Sequence, residues 1–152
     1  MRENKQHKIE VHVAAICFND KNEVLVLKRA QNRKLYPGLW ECGGGQVEIG
    51  ESFEKAIIRQ MKEEAGIIIN PIKPFGTYEI DIPDNPQKKI PGIKFVCKLL
   101  KYYNTRKPKL SKEHTKYKWL GIHQINGLTF IPNIKKDIKT AHQLLTGLST
   151  NK

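Results

Sequence analysis

The run from Gly45 to Ile67, GQVEIGESFEKAIIRQMKEEAGI, constrains this chain most, because it marks both ends of a helix and gathers carboxylates along it. Ser52 follows a Gly50-Glu51 turn and precedes an apolar-periodic run, so its hydroxyl can cap the first helical turn. Gly66 can take the left-handed conformation that stops a helix. The spacing predicts a helix from Phe53 to Ala65. At about 100° per residue, Phe53, Ile57, Ile58, Met61 and Ala65 share one side, suited to packing on a sheet. Gln60, Glu63 and Glu64 fall on the neighbouring arc around the small Ala56. Arg59 stands four residues before Glu63, where side chains on a helix meet. Glu48, Glu51, Glu54, Glu63 and Glu64 thus crowd into one segment of a chain whose net charge is +12. Such a wall of hard oxygens suits Mg²⁺, with Mn²⁺ as the alternative, since these ions use few protein carboxylates and keep water and phosphate oxygens as further ligands. An exposed acidic helix face is the plainer reading of the same pattern.

The pattern resembles the Nudix box, the signature of the MutT-like Nudix hydrolase family: a glycine, then at fixed intervals Glu, Arg-Glu, Glu-Glu and a closing glycine. Gly45 matches the opening glycine, Glu51 the first glutamate, Arg59 the arginine, Glu63 and Glu64 the pair, and Gly66 with Ile67 the ending. Gln60 departs from it, standing where the family carries glutamate. Gly38-Leu39-Trp40-Glu41, leading into Gly43-Gly44-Gly45, is similar to the family's approach to the box, with Gly43 where proline is common. The resemblance implies an α/β/α sandwich with a mixed sheet between helices. It also implies metal-dependent hydrolysis of a diphosphate linkage in a nucleoside diphosphate derivative, with the Gly44 carbonyl, Glu63 and Glu64 holding the metal. Gly45, Glu51 and Gly66 are structural in this scheme, and Arg59 pairs with Glu51 to orient the helix. A glutamine cannot take a proton at working pH, so the base lies elsewhere. Leu110-Ser111-Lys112-Glu113-His114 is similar to the loop where some Nudix enzymes place a metal-binding or basic glutamate, which makes Glu113 the candidate.

At 152 residues the chain reads as one domain over residues 1–152, large enough for a core. Cys17, Cys42 and Cys97 are too few and too scattered for a disulfide framework or a zinc site and read as core thiols. No stretch reaches the roughly twenty apolar residues of a membrane span, and the polar opening lacks a signal peptide's hydrophobic core, so the expected location is cytoplasmic. The positive charge attracts anions. It suits a nucleotide substrate and equally suits nucleic acid, and Gln60 together with this charge also fits a catalytically impaired Nudix-fold binding regulator. A homodimer is a common outcome for domains of this size.

Around the box, His7 to Phe18 and Val24 to Leu27 read as buried strands joined by the Asn19–Asn22 turn. The second ends in Lys28-Arg29, where Arg29 either meets substrate phosphates or sits at a solvated strand end. Gln31 to Pro37 reads as a polar loop. Ile67 begins an extended segment, Thr77 to Ile82 reads as a strand, and the turn at Pro83–Pro86 leads to a strand in which Ile93, Phe95, Cys97 and Leu99 alternate with lysines. Tyr78 or Phe95 could stack on a nucleobase or lie in the core. Lys101 to Lys118 carries seven Lys and Arg against the one acid Glu113 and reads as a long loop into a strand at Tyr117–Leu120. Pro132 suits the first turn of a helix with Ile134, Ile138, Ala141 and Leu145 on its stripe. Gly147 is placed to end it, before a frayed tail from Leu148 to Lys152.

Overall fold

The computed structural model describes residues 9–150. Among these, the elements run β1 (His12–Phe18), β2 (Val24–Arg29), β3 (Trp40–Glu41), β4 (Gly44–Gln46), α1 (Phe53–Ala65), β5 (Ile69–Ile82), β6 (Asn85–Leu99), β7 (His114–Leu120) and α2 (Ile134–Thr150). All strands join one mixed sheet: β1 lies parallel to β6, and the other pairings are antiparallel.

Two cores form because the central strands are apolar on both sides. Val13, Ala15 and Cys17 of β1, with Leu25 and Leu27 of β2, meet Ala56, Ile57, Met61 and Ala65 of α1. Ile16 and Phe18, with Val24 and Val26, meet Ile138, Ala141 and Leu145 of α2 on the opposite face. The result is the α/β/α sandwich expected from the sequence. Each large side chain so enclosed contributes about 1.5–3 kcal/mol of burial, and the three cysteines are free and buried among them.

One irregularity of the sheet places the site. β1 and β2 pair only at their hairpin end, Phe18 opposite Val24, and diverge from there. The gap takes two short strands: β3 runs beside β2, with Glu41 opposite Leu27, and β4 runs beside β1, with Gly44 opposite Ala14 and Gly45 opposite Val13. Glu41 and the glycine run therefore sit within the sheet and beneath α1.

Several boundaries differ from the expectation. β1 begins at His12 rather than His7; residues 1–8, including the first two positions of the expected strand, His7 and Lys8, lie outside the described residues. β7 begins at His114 rather than Tyr117, because its pairing with β2 extends to Arg29 opposite His114. β5 starts at Ile69 and runs unbroken to Ile82, with irregular register around Pro71 and Pro74. As the edge strand it tolerates prolines that cannot donate to a ladder. On α1, Phe53 is exposed, and Glu64 takes a buried place on the apolar side. α2 does not stop at Gly147 but runs to Thr150. Gly147 lacks the left-handed backbone of a terminator, and a glycine within a helix costs only about 1 kcal/mol. Pro132 lies two residues before the helix, and the carbonyl of Asn133 accepts from the Asp137 amide to open it.

Candidate active site

α1 forms as its sequence dictates. The Ser52 hydroxyl accepts from the Lys55 amide at 3.2 Å, and Gly66, at φ 64°, closes the helix by donating to the Lys62 carbonyl. Arg59, Gln60 and Glu64 then clamp the helix to β4. Arg59 donates from Nε to Glu51 Oε2 at 2.6 Å and from Nη2 to Glu51 Oε1 at 2.9 Å, a bidentate pair. The same Nη2 donates to the Gln46 carbonyl at 2.9 Å. Nη1 reaches Glu63 at 3.2 Å, and the Glu51 carboxylate also accepts from the Glu48 amide at 2.8 Å. The guanidinium and this amide hold the Glu51 carboxyl down at about 2. Arg59 thus ties helix, preceding loop and β4 together, the orienting geometry expected of it.

The glycines allow the helix to come this close. Gly44 adopts φ 146°, and a Cβ there would stand 2.1 Å from the Val13 carbonyl oxygen. Gly45 lies against the Gln60 amide, where a Cβ would be 2.4 Å away. Gln60 Nε2 donates to the Gln46 carbonyl at 3.2 Å, beside the Arg59 bond to the same oxygen.

The two adjacent glutamates face different surroundings. Glu63 is solvent-exposed and paired with Arg59. Glu64 is 6% exposed and accepts from the Gly44 amide at 3.1 Å. Burial, then the charge of Glu41, then the charge and hydrogen bond of Glu113 push its carboxyl well above the ordinary range, against the opposing pull of the Gly44 amide.

The charge of Glu113 bears on Glu64 because the backbone holds its loop against the end of α1. The last carbonyls of a helix lack intrahelical donors; here the Lys109 amide donates to the Ala65 carbonyl at 2.8 Å and the Ser111 amide to the Glu64 carbonyl at 3.0 Å. On its other side the Ala30 amide donates to the Glu113 carbonyl at 2.9 Å. The basic loop is docked on the end of α1, and that docking delivers Glu113. Its carboxylate also pairs with Arg33 at 3.2 Å.

Beneath this pair lies a buried network that the sequence reading did not single out. Glu41 Oε2 accepts from Arg29 Nη1 at 2.6 Å and pairs with His114 Nε2 at 2.9 Å. Burial opposes ionisation of Glu41, but the histidine hydrogen bond and the Arg29 charge outweigh it and lower its carboxyl. The available signal was an acid between Trp40 and Cys42 in an apolar strand. Arg29 also donates from Nε to the Leu35 carbonyl at 2.9 Å, so a phosphate would meet it in competition with Glu41.

The two aromatic candidates separate. Phe95, 1% exposed and packed in the α1-side core, has no ring face for a base, and its stacking role is withdrawn: at this point of β6 one face is covered by that core and the other, at Val96, by the α2-side core. The Tyr78 ring lies directly over Gly92, where a Cβ would be 2.3 Å from it. Burial, then the charges of Glu41 and Glu64, push its hydroxyl upward. A surface concavity of about 520 Å³ lies elsewhere, lined by residues between Asn126 and Lys136 and by none of these side chains.

These residues fit a hard cation. Glu64 is a shielded carboxyl whose anion is opposed by two neighbouring carboxylates, the arrangement that a bound positive charge relieves. Among the described residues no three His, Cys, Asp or Glu side chains form a ready cage. Such an ion would draw its remaining ligands from backbone carbonyl, water and substrate, as Mg²⁺ does.

Fold, clamp and carboxylates together define a class. The NUDIX domain pattern matches residues 8–142, and the chain belongs to the Nudix family. The nucleoside triphosphatase NudI of Salmonella arizonae is 43% identical to it over 60 residues, 38% of this chain and 42% of that protein. An uncharacterized Nudix hydrolase of Pseudomonas aeruginosa is 32% identical over 71 residues, 46% of this chain and 42% of the relative. The chain thus spans less than half the length of these curated relatives. Among solved structures, the MutT protein of Methanosarcina mazei Go1 has a TM-score of 0.72 at 27% identity, over 93% of this chain and 99% of that one. A Nudix hydrolase from Nitrosomonas europaea, at 22% identity and a TM-score of 0.69 over 89% of each chain, shares the fold.

Proposed function

We propose that this protein is a Mg²⁺-dependent pyrophosphohydrolase that cleaves a diphosphate linkage in a nucleoside diphosphate derivative, with Mn²⁺ as an alternative ion. The observation that carries the reading is the docking of the Glu113 loop on the end of α1, through the Lys109 and Ser111 amides, where Glu64 accepts from the Gly44 amide of the glycine strand. Glu64, Glu63 through water and the Gly44 carbonyl would hold the ion. When bound, it would neutralise diphosphate charge and lower the pKa of a water.

The protein's own groups carry the rest. Arg59 and Glu51 hold α1 against β4 so that Glu64 faces the site. Glu113 accepts the water's proton, since Gln60 offers only an amide oxygen with no affinity for a proton at neutral pH. Tyr78 offers a ring face, and the basic surface raises the local concentration of polyphosphate. Nucleoside triphosphates are the first substrates to test, because a relative carries that activity in its name. Oxidised nucleotides, dinucleoside polyphosphates and nucleotide sugars share the same linkage.

The deciding experiment is phosphate or pyrophosphate release from such a panel, with Mg²⁺ and with EDTA, for the wild type, Glu113→Gln and Gln60→Glu. Glu113→Gln should lose about 10²-fold or more in kcat, and Gln60→Glu should gain metal affinity. Unchanged turnover in Glu113→Gln would remove the base from the scheme. A second reading, a binding regulator, is favoured by Gln60 and the charge of +12. It predicts nucleotide binding, or nucleic acid binding, with no turnover for any substrate.

A further inference from the structure

Arg33 lies outside the box and has no part in the proposed chemistry, yet it stands at the site. Its Nη1 is 3.2 Å from Glu113 Oε2, and the loop that carries Glu113 is bound to the Glu64 carbonyl through the Ser111 amide at 3.0 Å. That nitrogen is shielded from solvent but makes no aligned hydrogen bond, so the contact with Glu113 is charge attraction without donor satisfaction. A buried donor left unmatched is costly. The backbone on both sides is fixed: the Arg33 amide donates to the Ala30 carbonyl at 3.2 Å, and the Ala30 amide donates to the Glu113 carbonyl at 2.9 Å. The Lys109 and Ser111 amides hold the other end of the loop on α1. What remains free to change is therefore the side-chain pairing, not the position of the loops.

A polyphosphate seated at Glu64 would bring new acceptor oxygens to this guanidinium, whose planar fork matches phosphate oxygens bidentately. Glu113, if it is the base, must meanwhile face the water and not a cation-paired dead end. Resting on the function proposed above, we infer that Arg33 exchanges partners: it neutralises Glu113 in the free protein and, when substrate arrives, passes to a phosphate and releases Glu113 to the reaction centre. Arg33 is thus a substrate-binding residue coupled to the base, and the coupling makes the base available only with polyphosphate in place.

The test is a double-mutant cycle read as binding of a non-hydrolysable α,β-methylene nucleoside triphosphate by calorimetry, with turnover measured in parallel. Arg33→Ala should weaken binding about tenfold or more, and Arg33→Lys less, because a lysine keeps the charge but not the fork. Glu113→Gln frees Arg33 and should tighten binding. The decisive arm is Glu113→Gln in the Arg33→Ala background, where that gain should disappear. An equal gain in both backgrounds would mean general charge repulsion and would overturn the exchange, as would an Arg33→Ala protein that binds like the wild type. Both side chains are partly exposed, and Arg33→Lys covers the case in which alanine disturbs folding. If the wild type binds the analogue and turns over no substrate, the proposed hydrolysis fails while the cycle still reports on the exchange.

Discussion

Replacing Glu64 with glutamine should stabilise the metal-free protein. The structure supplies the reason: Glu64 is buried beside Glu41 and Glu113, and each of these raises its carboxyl. A folded-state pKa above the unfolded one means that the group favours folding while protonated and loses that contribution as pH rises through the folded value. At neutral or higher pH the wild type either keeps a proton on Glu64 against the solvent's demand or buries a carboxylate among carboxylates. Glutamine is the neutral isostere. Its carbonyl oxygen can still accept from the Gly44 amide, and its NH₂ can still donate toward Glu113. Exchanging a strained functional carboxyl for such a residue typically gains about 1 kcal/mol, or about 2–4 °C in Tm for a domain near 150 residues. The assay is thermal unfolding in EDTA at pH 4 and pH 8, repeated with Mg²⁺. The advantage of Glu64→Gln should be near zero at pH 4, full at pH 8, and reversed by Mg²⁺, which should raise Tm in the wild type alone. A variant less stable than the wild type at pH 8 without metal, or one with an undiminished Mg²⁺ shift, would refute the reasoning.

Two further outcomes follow from the clamp. Gly44→Ala places a Cβ 2.1 Å from the Val13 carbonyl at a φ of 146°, so β4 must leave β1; chemical denaturation should show a loss of about 3 kcal/mol or more. Arg59→Gln removes the guanidinium that holds the Glu51 carboxyl at about 2. Because that pKa is depressed, its contribution is present above about pH 4.5 and lost as pH falls toward 2, so urea titrations should show a shallower acid loss in the variant than in the wild type.

Local signals in the sequence located α1 to the residue, because capping and stopping are chemistry of adjacent residues: Ser52 and Gly66 act on amides and carbonyls within one turn. The two-sided apolar character of β1 and β2 likewise announced a sheet covered on both faces. Glu41, Arg33 and His114 were not legible, since their roles arise from the divergence of β1 and β2 and from the docking of the 109–113 loop, contacts between residues far apart in the chain. Phe95 stayed open between stacking and core for a related reason: alternation reveals that a side chain faces inward, but not whether a ligand site opens there. Gly147 resembled a terminator only by its type, whereas ending a helix requires a backbone conformation that it does not take.

The departure at Gln60 gains meaning from the carbonyl it contacts. Gln46 offers one backbone oxygen to both Arg59 and Gln60, at 2.9 and 3.2 Å. A carboxylate at position 60 would present two acceptors to that oxygen and no donor, so it would turn away and lose the second tie between α1 and β4. It would also add negative charge near Glu64, whose ionisation is already opposed by Glu41 and Glu113. An amide at this position therefore strengthens the clamp and spares the carboxylate pair a further neighbour, at the expense of one ligand or base. On the proposed reading that loss falls to Glu113, whose loop is held by backbone bonds to the last carbonyls of α1 and to Ala30 and stands apart from the Arg59–Gln46 clamp. The two variants separate the elements: Gln60→Glu should shift metal affinity with kcat little changed, while Glu113→Gln should lower kcat.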